Sequence, residues 1–203
     1  MHVYKPAGEG WLGKYKNNTF KNYQLEEYNK AVNYVKNKKI AIDVGAHLGI
    51  MSYRMCRDFN HVHAIEPLFA KYIKPNVKAD NITIHEFAAG ETEKTVTMRV
   101  GHHHSAGSDI VERANSLTET YNHNIKCITI DSLNIKDVDF IKIDVEHYEW
   151  FALQGAKETI ETYHPVIMME VKEDNPYEAE IMNLMQKHGY KHERIGEMDF
   201  VFK

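Results

Sequence analysis

IAIDVGAHLGI, residues 40–50, is a short apolar run that ends in Asp43 and gives way to two glycines, Gly45 and Gly49. An apolar run of this length bounded by glycine reads as a buried strand over Lys39–Val44, with a helix following over Gly49–Arg57. A strand that turns tightly into a helix leaves free N–H groups at the helix start, where an anionic ligand group can sit. Glycine is needed wherever backbone must approach a ligand closely, because a Cβ would collide.

The spacing is D-x-G-x-x-x-G. The dinucleotide pattern G-x-G-x-x-G has a second glycine that hugs a pyrophosphate, and here it is missing. The turn of Gly45, Ala46, His47 and Gly49 therefore suits S-adenosylmethionine better than NAD. Its N–H groups face the methionine carboxylate, and Asp43 faces the ammonium. A tight turn with no ligand is the competing reading.

Working outward, strands and helices alternate on both sides. Leu25, Tyr28, Val32 and Val35 repeat at helical spacing, after a Gly-, Lys- and Asn-rich arm over residues 1–24. Further strands are expected over His61–Glu66, Ile82–Phe87, Phe140–Val145 and Val166–Val171. Helices are expected near Phe69–Val77, over Tyr148–Thr162, and from the Asn175-Pro176 cap to His188. Tyr190–Ile195 and Asp199–Phe202 read as a closing hairpin. Repeated β-α-β units imply a mostly parallel sheet, with right-handed crossovers and helices on both faces. The 203 residues form one expected domain, in which residues 1–37 are an arm and a first helix. Residues 90–139 are an insertion, with extra strands over Thr95–Val100 and Lys126–Ile130 and a polar loop between.

Five expected strands carry an acid at or beside their C-terminal ends: Asp43, Glu66, Glu86, Asp144 and Glu170. Ligands of open parallel sheets bind outside those ends. A row of acids suits an ammonium, a sulfonium, a diol and an amine, and suits a pyrophosphate poorly. Glu66, followed by Pro67, is placed to accept hydrogen bonds from a ribose diol. Some of these acids end strands merely because charge prefers water.

Net charge is −4 and no long Lys/Arg run occurs, which argues against a nucleic-acid partner. No apolar stretch nears the roughly 20 residues that span a bilayer, and the N-terminal MHVYKPAGEG lacks an apolar signal segment. Cys56 and Cys127 lie far apart without C-x-x-C spacing. Reduced thiols in a cytoplasmic protein are expected.

IDVGAHLG, AIEP at 64–67, HEFAAG at 85–90, ITIDSL at 128–133, DFIKIDVEHYEWFALQGA at 139–156 and HPVIMMEV at 164–171 occur in this order. Together they resemble the FkbM family of class I methyltransferases over about residues 38–172. The resemblance implies an α/β Rossmann-like class I methyltransferase fold with a C-terminal antiparallel hairpin. It implies S-adenosylmethionine as donor and transfer to oxygen, on a hydroxyl of a sugar, glycan or small natural product. Glu86 and Phe87 then fall where adenine is recognised: Phe87 on the purine face, Glu86 accepting from the amine. Core packing explains Phe87 equally well.

The sequence departs from the family pattern twice. His47 stands where Asn is frequent, and His147 where Gly is commonest. The base that takes the acceptor proton is expected beyond the fourth strand, where IKIDVEHYE supplies Asp144, Glu146 and His147. Asp144 or Glu146 is the expected essential carboxylate, with His147 assisting or shaping the pocket; the competing role for Glu146 is a helix cap. His102-His103-His104 matches a family segment near the site, and a solvated loop is favoured over a metal site. No metal requirement is expected, although Asp144, Glu146 and Glu170 could offer oxygens to Mg²⁺. The alternatives are a nicotinamide-dependent oxidoreductase and a non-catalytic Rossmann-like binding module. The absence of a D/N-P-P-Y/F motif argues against N-methylation.

Overall fold

The computed structural model describes Tyr4 and residues 22–101, 109–110 and 120–203. The N-terminal aromatics Trp11, Tyr15 and Phe20 and the His102–His104 run lie outside these residues.

Among the described residues the first helix is α1 (Leu25–Val32), which buries Tyr28, Ala31 and Val32. Then follow β1 (Ile40–Val44), α2 (Ile50–Asp58), β2 (His61–Ile65), α3 (Ala70–Val77) and β3 (Ile82–His85). The insertion contributes β4 (Ala88–Ala89), β5 (Lys94–Gly101), β6 (Asp109–Ile110) and β7 (Thr120–Ile128). The chain returns through β8 (Val138–Ile143), α4 (Glu149–Gln154), α5 (Lys157–Tyr163), β9 (Val166–Glu170), α6 (Glu178–Lys187), β10 (His192–Arg194) and β11 (Asp199–Phe202).

Seven strands form the central sheet in the order β10-β11-β9-β8-β1-β2-β3. β3, β2, β1, β8 and β9 are parallel, and β11 and β10 close the sheet antiparallel. The order reverses between β1 and β8, the place where such sheets bind ligands.

Both faces are covered over β1, β8 and β9, which is why those strands are apolar at successive positions. On one face Ile42, Val44, Ile141, Ile143 and Met169 pack against Ala152, Leu153, Ile160, Ile181 and Met185 of α4, α5 and α6. On the other, Ala41, Phe140, Met168 and Val201 pack against Tyr28, Val32, Met51 and Met55 of α1 and α2.

Three local expectations are corrected. The single helix expected over Tyr148–Thr162 is two, α4 and α5, parted at Gly155. A Cβ there would lie 2.0 Å from the Gly90 carbonyl oxygen, so the chain bends around the start of the insertion. The first turn of α5 is capped from afar: both Asp131 carboxylate oxygens accept, from the Glu158 N–H at 3.0 Å and the Thr159 N–H at 2.9 Å. The Asp of ITIDSL thus serves as a cap.

The helix expected to start at Asn175 starts at Glu178. The Asn175 side-chain oxygen accepts from the Tyr177 N–H at 3.0 Å, forming an Asx turn ahead of the helix.

The polar segment expected as loop before residue 126 is already strand from Thr120. β7 pairs antiparallel with all of β5, from Gly101↔Thr120 to Lys94↔Cys127. Cross-strand pairing, not apolar patterning, decides this ribbon. With β4 and β6 it makes a second sheet, in the order β4-β7-β5-β6.

Candidate functional site

A cavity opens at the C-terminal ends of β1, β2, β8 and β9. Its wall runs from Gly45, Ala46 and His47 through Glu66 and Pro67 to Phe87 and Ala88, and on to Lys142, Asp144, Glu146, Glu170 and Lys172. Met98 and Ile110 of the second sheet line it, as do Tyr23 and Met198 from near the two chain ends.

At the β1 end the backbone fixes the turn. Both the Gly45 and Ala46 N–H groups donate to the Ile65 carbonyl, at 3.0 and 3.1 Å. Gly45 has φ +82°, and a Cβ there would lie 1.9 Å from the Asp144 carbonyl oxygen. Gly49 has φ +84°, and its Cβ would meet Val77 and Ile73 of α3 at 2.9 and 3.1 Å. The glycines are therefore demanded by the protein's own packing, not only by a ligand, and Gly49 is absent from the cavity wall. His47 is also left-handed, at φ 49°, a conformation that Asn and His tolerate better than most residues. Its imidazole packs edge-on against Phe69 at 5.1 Å, and burial pulls its pKa down to about 4.

Glu66 ties this turn to the next one. Its Oε2 accepts from the His47 N–H at 2.9 Å; its Oε1 accepts from the N–H groups of Leu68 and Phe69, at 2.8 and 3.0 Å. Burial raises its pKa despite these bonds. A carboxylate has about four acceptor sites, so roughly one remains for a ligand hydroxyl.

Asp43 is fully buried and behind the wall. Ser52 Oγ donates to its Oδ2 at 2.5 Å, and Oδ1 has no hydrogen-bond partner among the described residues. Burial raises its pKa; the nearby Lys142 charge and the Ser52 bond oppose that. Phe87 reaches the cavity, whereas Glu86 is exposed and does not.

At the β8–β9 end, side chains hold one another. Lys142 Nζ bonds Asp144 Oδ2 at 2.6 Å, with both largely buried. Lys172 Nζ bonds Glu146 and lies 3.8 Å from Glu170 Oε2. Carboxylate oxygens of Asp144, Glu146 and Glu170 come within 4.8 Å of one another. Burial pushes the Asp144 carboxyl up, but the charge and hydrogen bond of Lys142, together with the Lys172 charge, hold the group below its usual range. Burial and then the Asp144 charge raise Glu146, and the same two causes take Glu170 up to about 8. Burial works against the charged form of Lys142, yet Asp144 and Asp43 keep its pKa above normal.

The loop after Asp144 is strained. Glu146 and His147 are consecutive left-handed residues, at φ 51° and 71°. Glu149 holds them there: its Oε1 accepts from the N–H groups of Val145 and His147 at 3.3 and 3.1 Å, and its Oε2 from Asn175 Nδ2 at 2.8 Å. Glu149 is buried, which lifts its pKa to about 7. His147, expected to assist the base or shape the pocket, does not line the cavity. Its Nε2 lies 3.7 Å from Asp174 Oδ1.

Sequence reading missed Lys142, Lys172 and Glu149. Lys142 carried a legible signal: a lysine inside a buried apolar strand, two residues before an acid on the same face, must be paired.

A family model, the methyltransferase FkbM domain, matches residues 43–192. An FkbM methyltransferase from Methylobacillus flagellatus KT superposes with a TM-score of 0.58 at 19% identity, covering 82% of this chain. This chain spans 44% of that protein. A precorrin-8w decarboxylase from Methanobacterium thermoautotrophicum gives 0.50 at 13% identity, covering 88% of each chain. An rRNA methylase from Streptococcus thermophilus gives 0.50 at 6% identity, covering 87% of this chain and 91% of that one. No curated protein sequence matches. Among the described residues, no helix is long and apolar enough to cross a membrane. The family match covers the turn at Gly45, Glu66 and the whole β8–β9 cluster: the chain belongs to the FkbM methyltransferase family.

Proposed function

We propose that the chain, acting as one catalytic domain in the cytoplasm, methylates a hydroxyl oxygen on a sugar, glycan or small natural product. The observation that carries this is the Asp144–Glu146–Glu170 cluster, interleaved with Lys142 and Lys172, in the same cavity as the Gly45 turn. S-adenosylmethionine supplies a methyl group already activated by its sulfonium. The protein's task is to align an acceptor O–H and take its proton.

The donor's fit is supported by the cavity-facing turn and by the acceptor site left on Glu66. Gly45, Ala46 and His47 face the methionine moiety, with Asp43 behind them. Glu66, with Pro67, takes a ribose hydroxyl. Phe87 and Ala88 flank adenine, without Glu86.

Glu146 is the proposed base. The O–C bond to the methyl group forms as the C–S bond breaks, and the acceptor proton passes to the Glu146 carboxylate. Asp144 is the weaker candidate, because Lys142 holds it ionised and poorly basic. His147 shapes the loop and does not touch the acceptor. Two lysines already neutralise much of the acid cluster, so no divalent ion is required.

The test is methyl transfer from radiolabelled donor to a panel of sugar nucleotides, glycans and phenols, with and without EDTA. Glu146→Gln should slow single-turnover transfer by about 100-fold or more while S-adenosylhomocysteine affinity holds. The wild-type rate should climb with pH, because the base is inactive below its raised pKa. Near-normal transfer by Glu146→Gln would remove it as base. Loss of activity in EDTA, restored by Mg²⁺, would make the acid cluster a metal site.

A further inference from the structure

The connection from β3 to β8 supplies no α-helix among the described residues. Register places His61, His63 and Ile65 on the same sheet face as Ile40, Ile42 and Val44. α4, α5 and α6 cover Ile42 and Val44, but at the β2–β3 edge this face carries imidazoles. His63 Nδ1 lies 3.0 Å from His85 Nε2, with ring centroids 5.3 Å apart and planes 16° apart. The His61 ring is 5.0 Å from the His63 ring, and its Nε2 hydrogen-bonds Thr83 Oγ1 at 2.9 Å. All three side chains are partly exposed.

We propose that His63 and His85 form a binding site for a divalent transition-metal ion of the imidazole-preferring class: copper, nickel or zinc. Tetrahedral coordination with metal–nitrogen bonds of about 2.0–2.1 Å sets two ligand nitrogens about 3.3 Å apart. The observed pair needs to open by about 0.3 Å on that geometry, and the nitrogen that carries the shared proton must present its lone pair instead, the proton moving to the other nitrogen of the same ring. Neighbouring strands fix both rings, so little ordering is left to binding. The ligating form is the neutral ring. Burial and then the neighbouring imidazoles bring His63 down to about 4; burial and then His61 lower His85. Water fills the remaining positions. Neither His63 nor His85 lines the methyl-transfer cavity, so the site is separate from it. The ligand chemistry differs too: the Asp144–Glu146–Glu170 cluster offers hard oxygens and already holds two ammonium groups.

A neutral histidine pair that merely shares a hydrogen bond makes a different prediction, because it gains nothing from metal. Tag-free, EDTA-stripped protein is titrated with NiCl₂ by calorimetry. The expected result is a single site whose affinity falls at least about tenfold in His63→Gln/His85→Gln. A His102→Gln/His103→Gln/His104→Gln variant keeps the site within about twofold. The proposal is overturned if wild type binds no better than the His63/His85 variant, or if the His102–His104 variant alone abolishes binding. Should the double variant fail to fold, substoichiometric Cu²⁺ added to isotope-labelled wild type reads the same question. The His63 and His85 signals then broaden first, and broadening centred on other residues rules the site out.

Discussion

At the β1–β2 end of the cavity the polar groups are held by backbone, whereas at the β8–β9 end they are held by one another. Glu66 accepts three main-chain N–H bonds, and Gly45 sits where its missing Cβ lets β1 and β8 converge. Asp144, Glu146 and Glu170 lean on Lys142 and Lys172. Groups fixed by main chain stay rigid but cannot be altered without disturbing the fold. Groups fixed by side-chain charge can change protonation in place, as a proton acceptor must. That difference supports the proposed division, with binding at the first end and chemistry at the second.

The comparison breaks hardest at Gly45. Gly45→Val drives a branched side chain into the Asp144 carbonyl and strains a left-handed residue. A loss of more than about 4 kcal/mol in denaturant unfolding is expected, or no soluble protein. A folded variant that merely binds donor weakly would mean the two strand ends separate easily.

Lys142→Met tests the charged end. It strands Asp144 and Asp43 in the interior and should cost about 3–5 kcal/mol. Adding Asp144→Asn should recover part of that, and a double variant no more stable than the single would show that Asp144 is not the uncompensated charge.

Glu66→Ala sharpens the contrast, because Glu66 holds the frame and is proposed to hold the donor as well. Donor affinity should fall at least tenfold, about 1.4 kcal/mol. The melting temperature should fall with it, since three backbone N–H groups lose their acceptor. Unchanged S-adenosylhomocysteine binding by calorimetry would take Glu66 out of the donor site.

The smallest effect is expected at His147. His147→Gly removes a Cβ from a left-handed position at φ 71°, relieving about 1 kcal/mol of strain, and should leave methyl transfer intact. A large loss of transfer rate would return the imidazole to the chemistry.

The strand order of events was legible because β1, β2, β8 and β9 are apolar runs that stop at an acid. That pattern carries both the sheet and the edge where its cavity opens. Position along a strand does not reveal direction, however. Glu86 ends the third run and points to solvent, while Phe87 beside it lines the wall. His147 looked like an added ionisable group, but its position is set by backbone: the loop needs φ > 0, and Glu149 and Asn175 clamp it from elements 26 residues apart. Long-range clamps of this kind leave no periodic trace. The start of β7 was hidden for a related reason, since TYNHN pairs across the ribbon without any apolar alternation.

The Asp131 cap on α5 has a consequence for how that helix opens. α5 has seven residues, too few to persist alone in water. Its first-turn N–H groups take their acceptor from Asp131, 27 and 28 residues upstream, across β8 and α4. Those amides are therefore protected only while that loop stays closed, and they open with it. Hydrogen exchange at Glu158 and Thr159 should accordingly report the docking of Asp131 on α5, a long-range event read through a purely local signal.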